Sequence, residues 1–98
     1  MIFEIQAVRF KASDELKDRV TEKMEKLADH FPFITSFHAY LKEEPNGQTV
    51  EVEARLKSAG ELFAKSTDTT FENAIDQVEE KLERQLRKHK DKLLNHHQ

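Results

Sequence analysis

Cysteine is absent from this chain of 98 residues, which removes disulfides, thiolate metal sites and cysteine nucleophiles at once and fits a reducing compartment. Long apolar runs are absent too. None approaches the roughly 20 residues of a membrane span, and the opening Met1-Ile2-Phe3-Glu4-Ile5 lacks the charged region and apolar stretch of a signal peptide. A cytoplasmic location with no membrane partner is the expectation. A basic balance is also missing: 16 Lys and Arg stand against 19 Asp and Glu, giving a net charge of −3 and a pI near 5.9. Such a balance argues against indiscriminate nucleic-acid binding, so any polyanion site must be local. Ser13, Ser36, Ser58 and Ser66 sit in no nucleophile motif and the Glu residues are spread along exposed flanks, so no enzyme is expected. Of the histidines, His89 lies at the edge of an apolar stripe, while His96 and His97 fall at a terminus, which points to packing or solvent rather than a metal site. No cofactor is implied.

What is present is enough apolar material, 37% of residues with seven Phe, for one modest core. A single domain over residues 1–95 is expected, with 96–98 as a frayed end. Residues 2–9 alternate, with Phe3, Ile5 and Ala7 opposite Glu4 and Gln6, as in a half-buried strand. Ser13 followed by Asp14 and Glu15 reads as a helix N-cap with acids in the first turn. Leu16, Val20, Met24, Leu27 and Phe31 then keep helical spacing up to Pro32, predicting a helix over 14–30. Phe37, Ala39 and Leu41 alternate up to Glu44-Pro45-Asn46-Gly47, whose Pro and Asn-Gly suit a turn. Val50, Val52, Ala54 and Leu56 alternate beyond it. Ser58-Ala59-Gly60 permits another reversal into a shorter strand around 62–66, and a long helix opens after Thr69, spaced from Glu72 as in a capping box.

The order is β-α-β-β-β-α, an α+β fold. With the first two strands parallel through a right-handed crossover and the rest a meander, a four-stranded sheet would carry two parallel helices on one face. The other face, with Glu4, Gln6, His38, Tyr40, Glu51, Glu53, Arg55 and Phe63, is polar enough to meet water, a second binding surface being the alternative.

The charge pattern of the two helices carries the functional reading. Residues 81–92 hold six Lys or Arg against two acids, a net of +4 inside an acidic chain. At about 100° per residue, Phe71, Ile75, Val78, Leu82, Leu86, His89 and Leu93 share a core stripe. Lys81, Arg84, Lys88 and Lys92 line one flank with no acid among them, whereas Glu72, Asp76, Glu79, Glu80 and Glu83 collect on the other. Pairs such as Glu83 with Arg87 offer the plainer account, a solvated charged helix. The first helix repeats the device with Arg19, Lys23, Lys26 and His30. Because both lines lie on the same rotational side of their apolar stripes, two parallel helices are expected to join them into one positive surface. Such a surface suits RNA phosphates, with Arg as a planar fork of donors and Lys as a mobile charge, but carries no base code. Structured RNA is read largely by shape, which suits charge held on a rigid sheet.

The stretch Lys81-Leu82, Arg84-Gln85-Leu86 and Lys88-His89-Lys90-Asp91-Lys92-Leu93, supported by Ala74-Ile75-Asp76, Lys23, Lys26-Leu27 and the order of elements, resembles the short bacterial ribosome hibernation-promoting factors, relatives of the ribosome-associated translation inhibitors. The resemblance runs nearly end to end. It implies a protein that lodges on the small ribosomal subunit near the decoding region, occupies space needed by mRNA and tRNA, and keeps ribosomes idle under stress or in stationary phase. Carried over residue by residue, rRNA binding falls on Lys23, Lys26, Lys81, Arg84, Lys88 and Lys92, and Arg19 joins by the stripe argument alone. The chain ends soon after the second helix, without the extra domain of the long forms or the acidic tail of the inhibitor type. The short type is therefore expected: a monomer off the ribosome, acting in some bacteria beside a separate ribosome modulation factor. Two competing readings are a stand-alone double-stranded-RNA-type module and a protein-interaction domain. The former binds short duplexes by itself, and the latter tolerates loss of the basic stripes.

Overall fold

The computed structural model describes residues 1–57 and 60–95. The expected frayed end at 96–98, His96, His97 and Ser58 lie outside the described residues. Six elements follow in the order β1 (Ile2–Val8), α1 (Asp14–His30), β2 (Ile34–Glu44), β3 (Gly47–Leu56), β4 (Glu61–Asp68) and α2 (Phe71–Asn95). The strands lie side by side in chain order. β1 pairs with β2 in parallel, and the β2–β3 and β3–β4 pairs are antiparallel. This is the α+β arrangement the alternations imply, with each helix returning antiparallel to the strand before it and the two helices therefore parallel.

Local chemistry sets the boundaries. The Ser13 hydroxyl accepts from the Leu16 N–H at 3.1 Å and starts α1. Its last turn closes with the Phe31 N–H donating to the Leu27 carbonyl at 2.8 Å, just before Pro32, which cannot continue a helix. α2 begins one residue later than Thr69 implies. The capping hydroxyl belongs to Thr70, which accepts from the Asn73 N–H at 3.1 Å, because the Thr69 N–H and hydroxyl are engaged by the Asp68 carboxylate. The β2–β3 hairpin turns on Pro45 and Asn46 alone, since Glu44 already pairs with Gly47. Gly47 is required for a reason of its own: its φ is +143°, and a Cβ there would stand 2.7 Å from the Asp68 carbonyl oxygen of β4.

Strand alternation divides the sheet into two faces. Phe37, Ala39, Leu41, Val50, Val52, Ala54 and Ala64 are buried beneath the helices, with Phe3 and Ile5 of β1 packed at the margin. α2 covers β3 and β4, while α1 packs against α2 and β2. Val78, Leu82 and Leu86 of α2 are fully buried in this layer, each such side chain contributing about 1.5–3 kcal/mol. This packing fixes the rotation of α2 and thereby decides where its charged flanks point.

Candidate nucleic-acid interface

β4 is an edge strand, and such a strand leaves backbone groups without a ladder partner. Two of its carbonyls are taken up by α2. Lys81 Nζ donates to the Lys65 oxygen at 2.6 Å, and Gln85 Nε2 donates to the Phe63 oxygen at 3.0 Å. These bonds cover the edge and also lay the basic flank of α2 alongside it. Phe63, Ala64, Lys65, Lys81, Arg84, Gln85 and Lys88 line one open groove of about 310 Å³. Arg84, Lys88 and Lys92 are exposed and make no ion pair among the described residues. Their charge is thus uncompensated at the surface. Lys65 adds a fourth cation to the groove, held only loosely by Glu51 at 3.8 Å.

The basic line of α1 has a different setting, and the expected single positive surface is not what the fold makes. Arg19 lies 3.5 Å from Asp76, and Lys23 lies 3.5 Å from both Asp76 and Glu79. The reason is the order of the helices on the sheet. The basic flank of each leans toward β4, so that of α1 meets the acidic flank of α2, whereas that of α2 meets the open edge. α2 itself stands between the two lines. Arg19 and Lys23 keep side-chain exposures of 41% and 29%, and Lys26 and His30 are exposed. Along α2, Arg87 pairs with Glu83 at 3.8 Å, the i,i+4 pairing that the sequence offered.

Among the residues outside the two stripes, His89 packs its ring on Phe33 with centroids 5.2 Å apart, as a half-buried member of the apolar margin. On the open sheet face, Glu51 accepts from Lys42 at 3.0 Å, Arg55 pairs with Glu61 at 3.4 Å, and His38 stacks on Tyr40 at 4.3 Å. Lys65 and Gln85 were not legible as site residues in the sequence. Each is brought to the groove by the β4–α2 contact, and the alternation that puts Lys65 on the same side as Phe63 is the one signal that pointed there.

Three comparisons place this geometry among known proteins. Residues 3–94 match the family model described as Sigma 54 modulation protein / S30EA ribosomal protein. A ribosome hibernation promoting factor of Pseudomonas putida is 34% identical over 88 residues, covering 90% of this chain and 85% of that protein. Its counterpart in Escherichia coli is 36% identical over 84 residues, covering 86% and 87%. The fold superposes on a ribosomal subunit interface protein from Coxiella burnetii with a TM-score of 0.85 at 19% identity, over 93% of this chain and 99% of that one. On the extent of the match and the identity over most of its length, this chain belongs to the Sigma 54 modulation protein / S30EA ribosomal protein family.

Proposed function

We propose that this protein is a ribosome hibernation factor. It binds the small ribosomal subunit near the decoding region through rRNA phosphates, takes up space needed by mRNA and tRNA, and holds ribosomes inactive under stress or in stationary phase. The observation that carries the reading is the uncompensated cationic flank of α2, set along the β4 edge of an otherwise acidic chain. Membership of a ribosomal protein family, with relatives named as hibernation promoting factors, supports the choice of RNA as the polyanion.

In this reading Lys81, Arg84, Lys88 and Lys92 are the primary phosphate contacts, and Lys26 is a separate contact on α1. Arg19 and Lys23 enter only by leaving Asp76 and Glu79, whose charges then face the RNA. These pairs are only partly exposed, and surface pairs are worth about 0–1 kcal/mol, so the exchange adds little net attraction. Five full contacts give a log–log salt slope between about −3.5 and −4.5. The protein acts where ribosomes are, in the cytoplasm, as a monomer when off the ribosome, and a separate modulation factor is the natural candidate for a co-acting partner.

Co-sedimentation with separated small and large subunits tests the reading. Salt-sensitive travel with small subunits alone is the expected result. Travel with neither subunit, or binding to short RNA duplexes as tight as to the subunit, overturns it.

A further inference from the structure

The sheet edge that flanks the cationic groove carries a half-exposed aromatic ring outside the hydrophobic core. Phe63 is 50% exposed, and its side chain belongs to the open face, opposite Glu53 in the β3–β4 register. Single exposed apolar residues are ordinary on protein surfaces, as Met1 and Ile2 are at the start of β1. Phe63 differs in its surroundings, because it shares one groove with Lys65, Lys81, Arg84 and Lys88. The hydrogen bond from Gln85 to its own carbonyl pins the backbone beneath the ring to α2.

We infer that this groove takes one unpaired RNA nucleotide, its base stacked on Phe63 and its phosphates held by Arg84 and Lys88. An aromatic face beside mobile cations is the arrangement by which proteins hold single-stranded nucleic acid, and stacking tolerates any base because each has a π-face. The charges also set the direction in which the nucleotide lies. Arg84 and Lys88 stand on the α2 side of the groove and Phe63 on its strand side, so the backbone runs along α2 with the base turned toward the strand. At about 310 Å³ the groove is at the small end of ligand sites, which suits one base rather than a duplex. This proposal rests on the RNA-binding reading of the α2 flank and adds to it a contact of a different chemistry, one that does not depend on salt.

The test uses the intact chain, which has no tryptophan, so Phe63→Trp installs a single reporter that retains the stack. Uridine hexamer is the probe and an abasic ribose-phosphate hexamer its control, both at low salt. Quenching of the reporter by the uridine hexamer and not by the abasic one is expected. Phe63→Leu, which keeps apolar bulk without the ring, is expected to lower affinity for the uridine hexamer about tenfold while leaving the salt slope unchanged. Equal quenching by both hexamers, no binding of either, or a Phe63→Leu affinity equal to wild type overturns the inference. Its failure is separable from that of the ribosome reading. Wild type that travels with small subunits while Phe63→Leu changes nothing sinks only the nucleotide site. Ring-dependent binding of the hexamer without subunit binding sinks only the ribosomal assignment.

Discussion

The basic flanks of α1 and α2 are both lines of cations at helical spacing, yet Arg19 and Lys23 of the first are paired across the helices while Arg84, Lys88 and Lys92 of the second face outward. Arg19 and Lys23 sit 3.5 Å from carboxylates of α2, while Arg84 and Lys88 border a groove on the strand edge with no ion pair among the described residues. A charged stripe acquires its meaning from what lies beside its helix in the layer, a property of topology rather than of the stripe. It also gives the acids of α2 a positive role. Asp76 and Glu79 link the helices electrostatically by pairing with Arg19 and Lys23.

Mutations distinguish the two flanks, the strongest effect coming from α2. Replacing Arg84 and Lys88 together by Glu should lower small-subunit affinity roughly 100-fold and flatten the salt slope by about two. Thermal unfolding should barely shift, because both side chains are exposed, and a large fall in melting temperature would show that they do not merely face solvent. Leu86→Ala should behave in the opposite way. It empties a fully buried position of α2 and should cost about 2–5 kcal/mol in denaturant unfolding, with the charge pattern untouched. A smaller change is expected from Asp76→Asn combined with Glu79→Gln, which releases Arg19 and Lys23. Small-subunit binding should tighten about two- to fivefold, at a stability loss below about 1 kcal/mol. Weaker binding in that double variant would mean that the pairs orient α1 for the RNA.

The smallest effect concerns the start of α2. The Thr69 backbone N–H, then the Gln77 side chain, with the Thr69 hydroxyl and Asn73, hold the Asp68 carboxyl below its ordinary value. A carboxylate depressed in the folded state adds stability above its unfolded pKa and loses it as pH falls through the folded one. The melting temperature of the wild type should therefore drop more steeply than that of Asp68→Asn below about pH 4. Parallel curves for the two proteins over that range would exclude this contribution.

Much of this architecture was legible in residue order. The α1 limits follow from Ser13 and Pro32, and the strand alternations of Phe37-Ala39-Leu41 and Val50-Val52-Ala54 are local facts about what each side chain can bury. The misplaced cap at Thr69 shows where local reasoning stops, since a capping-box spacing does not reveal that Asp68 will occupy that hydroxyl. The fourth strand extends beyond 62–66 to Glu61–Asp68, because Thr67 is held in the sheet by a 2.7 Å hydroxyl contact with Thr49 that no local pattern announces. The site was half legible. Spacing alone placed Lys81, Arg84 and Lys88 on one flank, but the partition of the two basic lines depends on which helix lies beside β4. Lys65 and Gln85 join the groove only through that long-range contact.

The most direct test compares two charge-neutralised proteins in one sedimentation experiment on small ribosomal subunits, Arg84→Gln with Lys88→Gln against Arg19→Gln with Lys23→Gln. The α2 variant is expected to leave the subunit at moderate salt while the α1 variant stays bound almost as wild type. Equal losses in both, or a greater loss from α1, would contradict the assignment of the interface to the β4 side of α2.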